Sequence, residues 1–214
     1  MIILRLKNVR NAKEIISSSS YVVLNYSNYK GKWNKVFKNN NPINIEIGMG
    51  KGDFIINMAK KYPHINFIGI EMFDSVIVRA VQKLEDEKLD NLKLIRMDAN
   101  LINDVFLNEV DTLYLNFSDP WPKERHEKRR LTSHEFLNKY DNIFKDTKRI
   151  FQKTDNINLF SFSIESLSTY GYILKNVTMD LANYNLENNI MTEYEKKFTS
   201  IGTKICRLEA YKKK

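Results

Sequence analysis

The feature that most constrains the fold of this 214-residue chain is a regular alternation of strand-like and helix-like segments from residue 42 onward. Each apolar, strand-like segment is followed by a segment whose apolar residues recur at helical spacing. This alternation is typical of α/β proteins, in which one mostly parallel sheet is covered by helices on both faces. We therefore predict this architecture, with the ligand site beyond the carboxyl ends of the strands.

The predicted elements divide the chain into an arm and a main domain. The predicted strands span residues 43–47, 66–70, 92–97, 112–116, 149–153, 172–179 and 204–211. The predicted helices span residues 53–61, 75–88, 101–107, 158–170 and 193–200, with another from a capping box at 132–135 to about residue 144. Residues 1–41 have no clear period and are interpreted as a partly ordered N-terminal arm with a short helix near residues 12–16. Residues 42–214 form the main domain.

Composition excludes several classes of protein. A single cysteine, Cys206, and three scattered histidines provide neither an intramolecular disulfide nor a cysteine-based zinc site, so no metal is expected. No apolar run reaches the ~20 residues of a membrane helix. We therefore expect a soluble, cytoplasmic protein without a membrane partner. The net charge of +8 suggests an anionic partner, although lysine and asparagine enrichment can also reflect codon usage.

Polar residues stand at the ends of the first four predicted strands. Three glycines, in Gly48-Met49-Gly50-Lys51-Gly52, follow the strand that contains Glu46, and Glu71 lies 19 residues beyond Gly52. Asp98 and Asn116 end the third and fourth strands. A carboxylate about 20 residues after a glycine loop is the expected partner of ribose hydroxyls.

Two ligand classes fit this arrangement, nicotinamide dinucleotides and S-adenosylmethionine. The residue after Gly52 is Asp53, where the dinucleotide fingerprint requires glycine, and Glu46 would repel a pyrophosphate. A carboxylate there suits a cationic ligand, and S-adenosylmethionine carries an ammonium and a sulfonium. This favours S-adenosylmethionine, with Asp98 accepting hydrogen bonds from the adenine amino group.

A rigid loop and a basic cluster follow the fourth strand. The loop Asn116–Lys123 contains Asp119-Pro120-Trp121-Pro122, and its two prolines restrict the backbone around Asp119. The next segment, residues 124–130, holds three of the nine arginines of the chain. Arginine pairs bidentately with phosphate, so this segment is a candidate RNA contact. Trp121 either stacks on a base or covers the core.

These motifs together resemble the bacterial tRNA (guanine-N7-)-methyltransferases. The resemblance rests on Glu46–Gly52, Gly69-Ile70-Glu71, the block Asn116–Arg130, Thr154-Asp155-Asn156 and Thr192-Glu193-Tyr194-Glu195. It extends from about residue 21 to the C-terminus. It implies a Rossmann-like class I methyltransferase fold that uses S-adenosylmethionine to methylate N7 of a guanine in the tRNA variable loop.

The resemblance also implies a role for individual residues. The cofactor-binding set is Glu46, Gly48, Glu71, Asp98, Asn116 and Asp119, and Asp119 is also catalytic. The substrate-binding set is Lys123, Asp155, Thr192 and Glu195, and the RNA-binding set is Arg125, Lys128, Arg129 and Arg130. Asp155 and the Thr192–Glu195 segment also have a purely structural interpretation, as helix caps. The protein is expected to be a monomer or homodimer.

Guanine N7 is a lone-pair acceptor with no hydrogen to remove, so its methylation requires no general base. A carboxylate on the guanine edge would stabilise the positive charge that develops, and either Asp119 or Asp155 fits that role. Three alternatives to this function remain: another S-adenosylmethionine-dependent RNA methyltransferase, a nicotinamide-dependent oxidoreductase, and a non-enzymatic RNA-binding module.

Overall fold

The computed structural model describes residues 9–184 and 189–213. Within these ranges seven strands form one sheet: β1 Ile43–Ile47, β2 Asn66–Glu71, β3 Leu92–Arg96, β4 Val110–Asn116, β5 Lys148–Thr154, β6 Ile173–Thr178 and β7 Cys206–Lys212. The strand order is β3-β2-β1-β4-β5-β7-β6. Strands β1 to β5 are mutually parallel, whereas β7 is antiparallel to both β5 and β6. The predicted Rossmann-like, mostly parallel sheet is confirmed.

Helices connect the strands and cover the two faces of the sheet. The α-helices of the described part are α1 Ala12–Ser18, α2 Trp33–Phe37, α3 Asp53–Lys61, α4 Asp74–Lys83, α5 Ile102–Val105, α6 His134–Asp141, α7 Ile157–Thr169 and α8 Glu193–Thr199. Alternation along β2 gives each face its own core: Ile68 and Ile70 pack into one hydrophobic cluster and Phe67 into the other. Cys206, buried in β7, belongs to the first cluster.

Residues 9–41 pack against the sheet and its helices. Val22 bridges to Leu94 in β3, and the Val23 amide donates to the Leu94 carbonyl at 2.9 Å. Trp33 is fully buried, and its indole Nε1 donates to the Val105 carbonyl at 3.0 Å. The proposed arm, residues 1–41, therefore contributes core residues from residue 16 onward, while residues 1–8 lie outside the described ranges.

Two helices end three or more residues earlier than predicted. Helix α4 ends at Lys83 and not at residue 88, because the following residues bond to the N-terminal segment: the Tyr21 hydroxyl donates to the Glu87 carbonyl at 2.5 Å and accepts from the Leu89 amide at 3.0 Å. Helix α6 ends at residue 141, and its cap is Ser133. The predicted capping box at 132–135 was wrong, since the Thr132 hydroxyl bonds to Ser163 at 2.8 Å.

The carboxyl ends of β1 to β5 meet at one edge of the sheet. The chain reverses its direction of travel across the sheet between β1 and β4, because β2 and β3 lie on one side of β1 while β4 and β5 lie on the other. Loops leaving β1 and β4 diverge at such a point and leave a crevice for a ligand. Among the described residues, no helix is long and apolar enough to cross a membrane.

Candidate active site

A cavity of about 940 Å³ lies at this edge of the sheet. Four segments form its wall: the glycine loop after β1, the loop after β4, the residues after β5, and α8 with the residue that precedes it. The lining residues are Glu46, Gly48, Met49, Gly50, Lys51, Asp53, Phe54, Asn116, Phe117, Ser118, Asp119, Pro120, Asp155, Asn156, Thr192, Glu193, Tyr194, Lys197 and Phe198.

The glycine loop is anchored to the sheet by close packing that only glycine permits. Gly52 has a φ of +80°, and a Cβ there would lie 2.9 Å from the Ala80 Cβ of α4. A Cβ on Gly69 in β2 would lie 2.3 Å from the Met49 sulfur, so Gly69 leaves the room that Met49 fills. The amides of Gly48 and Met49 both donate to the Ile70 carbonyl, at 2.9 and 3.0 Å. These contacts fix the loop at the cavity wall.

Glu46 places a buried carboxyl group beside the cavity. The residue is only 2% exposed, and its Oε1 accepts a hydrogen bond from the Asn116 side-chain amide at 2.8 Å. Its Oε2 is buried and has no hydrogen-bond partner among the described residues. Burial raises the Glu46 pKa to about 8, and the Asn116 hydrogen bond and the Lys153 charge only partly oppose this shift. A buried polar atom normally has a partner, so this oxygen calls for a donor on a ligand.

Glu71 and Asp98 lie at the neighbouring strand ends, outside the cavity wall. The Glu71 carboxylate accepts hydrogen bonds from the amides of Gly50, Met72 and Phe73, at 3.2, 2.8 and 3.0 Å. Burial raises the Glu71 pKa, and these three hydrogen bonds oppose the shift. Asp98 is exposed and caps a 3-10 turn by accepting from the Asn100 amide at 2.8 Å. Glu71 thus holds the glycine loop through Gly50, from a position outside the cavity wall.

The loop after β4 brings Asp119 to the cavity through an unusual backbone. Phe117 and Trp121 have φ values of +52° and +42°, which non-glycine residues rarely adopt and which cost energy. The Phe117 amide donates to the Lys153 carbonyl at 2.8 Å, which ties the start of the loop to β5. Asp119 is exposed and lines the cavity.

Helix α8 forms the opposite wall. The predicted capping box is present, because Thr192 Oγ1 accepts from the Glu195 amide at 2.8 Å and the Glu195 carboxylate accepts from the Thr192 amide at 3.4 Å. The Tyr194 hydroxyl donates to Asp155 Oδ2 at 3.0 Å. The Tyr194 ring stacks on Phe198 at 4.0 Å and lies 4.7 Å from the Phe117 ring. An aromatic ladder therefore runs beside the Asp155 carboxylate.

Asp155 does not cap the helix that follows it. The cap of α7 is Asn156, whose side chain accepts from the Leu159 amide at 2.8 Å. The alternative interpretation of Asp155 as a helix cap was therefore wrong. Its carboxylate instead lines the cavity on the side of Tyr194.

Lys153 was not identified as a functional residue from the sequence. A lysine near the end of a buried strand is nevertheless a signal, because its ammonium needs hydrogen-bond acceptors inside the protein. Its Nζ donates to the Glu195 carboxylate at 2.8 Å, the Ile190 carbonyl at 2.9 Å and the Asn189 side chain at 2.7 Å. Burial lowers the Lys153 pKa, and the Glu195 charge opposes the shift. Glu195 is itself 2% exposed and does not line the cavity. This pair holds the segment before α8 against β5.

The basic cluster forms a 3-10 turn, Glu124–Arg129, beyond the loop that carries Asp119. Lys123, Arg125, Lys128 and Arg129 are exposed, and the Arg129 guanidinium lies 4.9 Å from the Trp121 ring centroid. Arg130 is mostly buried and donates to two carbonyls of the loop. The four predicted RNA-binding residues thus have two different environments.

The structure brings part of the predicted site together. Glu46, Gly48, Asn116, Asp119, Asp155 and Thr192 line one cavity. Lys123 and Glu195 are not among the lining residues. Nowhere in residues 9–184 and 189–213 do three or more histidine, cysteine, aspartate or glutamate side chains form a group that could hold a metal ion.

The chain is similar to known methyltransferases in sequence. A family model described as "Putative methyltransferase" matches residues 40–208. A tRNA (guanine-N(7)-)-methyltransferase from Lachnoclostridium phytofermentans is 51% identical over 213 residues, which are 99% of this chain and 100% of that protein. The enzyme of the same name from Bacillus subtilis is 54% identical over 196 residues, 91% of this chain and 92% of the relative.

Solved structures with much lower identity share the fold. A structure described as an antibiotic-related methyltransferase has a TM-score of 0.64 at 16% identity, covering 86% of this chain and 94% of that one. A 16S rRNA (adenine(1408)-N(1))-methyltransferase variant with its cosubstrate SAM, from Catenulisporales acidiphilia, has a TM-score of 0.59 at 14% identity, covering 86% and 91%.

Proposed function

Because this chain belongs to the tRNA (guanine-N(7)-)-methyltransferase family, we propose that it transfers a methyl group from S-adenosylmethionine to N7 of a guanine in the variable loop of tRNA. The observation that carries this proposal is the cavity in which Glu46, Asp119 and Asp155 surround one space at the carboxyl ends of the strands. Family membership also argues against the two non-methyltransferase alternatives, the oxidoreductase and the RNA-binding module.

The cavity fits S-adenosylmethionine on the side of Glu46. The unpartnered Oε2 of Glu46 is suited to the ammonium of the methionine moiety, since a charge-assisted hydrogen bond would satisfy a buried acceptor. Gly48 lines the same cavity, and Asn116 donates to this carboxyl group; both would complete that end of the site. Glu71 would hold the ribose hydroxyls with its remaining lone pairs, and Asp98 the adenine amino group.

S-adenosylmethionine, when bound, supplies an electrophilic methyl carbon. The chain has to hold guanine N7 in line with that carbon, a positioning effect worth up to ~7–11 kcal/mol. N7 gives its lone pair to the new bond while the methyl–sulfur bond breaks and its electron pair passes to sulfur, which leaves as a neutral thioether; no proton has to leave in this step because N7 carries none. The methylated base becomes cationic, so the carboxylate of Asp119 lowers the barrier by stabilising the charge that develops.

The substrate side of the cavity is formed by Asp155, Thr192 and the aromatic ladder of Phe117, Tyr194 and Phe198. Because Tyr194 donates to Asp155 at 3.0 Å, the carboxylate is held in one orientation while an oxygen remains available for the guanine edge. Thr192 and Lys123 would make further contacts to the nucleotide. We assign Glu195 a supporting role here, since its carboxylate is buried on Lys153.

The exposed cations Arg125, Lys128 and Arg129 lie just beyond the Asp119 loop and would bind the tRNA backbone. We propose residues 42–214 as the methyltransferase domain, with the preceding residues as an N-terminal segment packed on it. A cytoplasmic location follows from the tRNA substrate, and the proposed assembly is a monomer or homodimer.

The proposal is tested by incubating the protein with methyl-labelled S-adenosylmethionine and bulk tRNA, followed by nucleoside analysis. We expect the label in 7-methylguanosine and in no other nucleoside. Label in a different nucleoside would support another RNA methyltransferase, and no transfer at all would refute the proposed activity. For variants that remove a charge from the loop, such as Asp119→Ala, the control is Glu124→Ala, which removes an exposed acid outside the cavity wall.

A further inference from the structure

Arg130 ends the basic cluster, but its environment differs from that of the other cations there. Its Nε donates to the Pro120 carbonyl and its Nη2 to the Trp121 carbonyl, both at 3.2 Å. Its guanidinium carbon lies 4.3 Å from the Phe162 ring centroid, over a residue of α7. The Arg130 side chain is 13% exposed, compared with 81% for Lys128. Arg130 therefore points into the protein, toward the loop.

The two carbonyls that Arg130 binds belong to the residues directly after Asp119. This part of the loop has no regular secondary structure, and Trp121 sits at a φ of +42°, so side-chain contacts must hold the backbone in place. A guanidinium is a planar fork of five N–H donors and can bind two neighbouring carbonyls at once. A lysine ammonium is a compact point charge on a flexible stem and lacks that fixed geometry.

Arg129 provides the contrast. Its guanidinium lies over the exposed side of the cluster, 4.9 Å from the Trp121 ring centroid, and the residue is exposed. Arg130, in comparison, has one carboxylate nearby, that of the exposed Glu127, 4.0 Å from Nη1. Two adjacent arginines thus have different surroundings: Arg129 is exposed beside the Trp121 ring, whereas Arg130 donates to backbone carbonyls of the loop.

We propose that Arg130 is a positioning residue for methyl transfer, which fixes the Pro120 and Trp121 carbonyls and thereby the Asp119 carboxylate, and that it is not a tRNA phosphate contact. This inference rests on the proposed function, because it takes Asp119 to act in methyl transfer. It replaces the sequence-based expectation that Arg130 binds RNA together with Arg125, Lys128 and Arg129.

The test compares four variants with the wild type: Arg130→Ala, Arg130→Lys, Arg129→Ala and Arg149→Ala. Arg149 is an exposed arginine at the start of β5, at the opposite edge of the sheet from the cavity, and is the control for loss of one positive charge. Two quantities are measured: the single-turnover rate of methyl transfer at saturating tRNA, and the slope of log K for tRNA against log salt. Thermal unfolding followed by circular dichroism shows that each variant is folded at the assay temperature.

We expect Arg130→Ala to lower the single-turnover rate between about 10-fold and 10²-fold, as small misplacements at reacting centres do, with the salt slope unchanged. Arg130→Lys should show a similar loss, because lysine keeps the positive charge but lacks the planar set of donors that binds both carbonyls. Arg129→Ala should instead flatten the slope by about 0.7–0.9, the effect of one lost phosphate contact. Arg149→Ala should change neither quantity.

Three results would overturn the inference: a wild-type rate in Arg130→Ala, a flattened salt slope in that variant, or full recovery in Arg130→Lys. If Arg130→Ala does not fold, Arg130→Lys decides alone, by its rate. A wild-type protein that transfers no methyl group to guanine refutes the proposed function, and this inference with it. An active wild type beside an unimpaired Arg130→Ala refutes only the role of Arg130.

Discussion

The carboxyl group of Glu46 lies in the wall of the cavity with one oxygen unpartnered among the described residues. Such a group is unfavourable for the fold, because burial favours its neutral form and raises its pKa to about 8. A ligand that supplies a cationic donor would favour the charged form of Glu46 and lower its pKa. Strongly shifted pKa values in a cleft are typical of functional sites, and Glu46 has the shift, the burial and the position.

Glu46→Gln should stabilise the protein, and more so at higher pH. Since the Glu46 pKa is raised from 4.5 to about 8 by folding, only the unfolded chain loses this proton between those pH values, and wild-type stability falls as pH rises through that window. Glutamine does not titrate. We expect a gain on the order of 2–4 kcal/mol at pH 8 and less at pH 6, measured by urea unfolding without cofactor.

The same variant should bind S-adenosylmethionine at least about tenfold more weakly, because glutamine offers no charge to the ammonium. Calorimetric titration of both proteins measures this. A stability difference that is equal at pH 6 and pH 8 would contradict the assigned pKa. An unchanged cofactor affinity would contradict the assignment of Glu46 to the ammonium.

Asp119→Ala should lower the single-turnover rate about 10²–10³-fold, as does loss of one preorganised electrostatic partner in other enzymes. The fold should be preserved, because Asp119 is exposed and lies on a loop. Rates at saturating tRNA and cofactor, with Glu124→Ala as the matched control, measure the effect. A rate within a few-fold of wild type would transfer the charge-stabilising role to Asp155.

Residues that act at the cavity were easier to predict than residues that act through others. Glu46, Asn116 and Asp119 follow or end strands, and the ends of parallel strands meet at one edge, so their sequence positions place them together. Glu195 and Arg130 were assigned to substrate and RNA from the resemblance. Their partners, Lys153 and the Pro120 carbonyl, are internal contacts that no spacing pattern reveals.

At the scale of elements, a buried ion pair connects α8 to the sheet. Lys153 in β5 and Glu195 in α8 are 42 positions apart and bond at 2.8 Å. The side chains are 8% and 2% exposed, so neither charge is well hydrated. Helix α8 is only seven residues long and carries Tyr194 and Phe198 of the cavity wall. A helix this short depends on tertiary contacts for its position.

Glu195→Ala should destabilise the protein by about 3–5 kcal/mol, because it leaves the buried Lys153 charge without its anionic partner. The control is Glu193→Ala on the same helix. Glu193 pairs with Lys51 at 2.8 Å with both side chains at least one-third exposed, and this should cost only about 0–1 kcal/mol. Urea unfolding measures both losses.

The double variant Lys153→Met/Glu195→Leu removes both charges and should recover most of the stability lost in Glu195→Ala. Its tRNA KM should nevertheless be raised above that of the wild type, since α8 loses its specific anchor although the apolar pair still packs. Equal losses in Glu195→Ala and Glu193→Ala would show that the buried pair does not hold the helix.

Most elements were predicted to within two residues, because their apolar spacing is strong and their ends carry glycine or capping residues. Strand β1 and helix α3 have the predicted limits. Helix α4 was predicted too long, since its sequence remains compatible with a helix beyond Lys83. The contacts that end it come from Tyr21, more than sixty residues earlier in the chain.

At the scale of the molecule, strand alternation predicted the fold class but not the strand order. The antiparallel insertion of β7 between β5 and β6 follows from contacts between distant segments, such as the pairing of Thr154 with Cys206. Likewise, no periodic pattern in the sequence predicts that Trp33 is buried or that it donates to the Val105 carbonyl. The net charge of +8 suggested an anionic partner. Part of that positive charge is exposed on the arginines and lysines beside the Asp119 loop.

Methylation of guanine N7 in the tRNA variable loop can be tested by mapping the modified nucleotide. A single tRNA transcript is incubated with the protein and S-adenosylmethionine, reduced with borohydride and treated with aniline, which cleaves the chain at 7-methylguanosine. We expect one cofactor-dependent cut, at a guanosine of the variable loop, and a much weaker cut with Asp119→Ala. Methyl incorporation without cleavage, or a cut elsewhere in the tRNA, would contradict it.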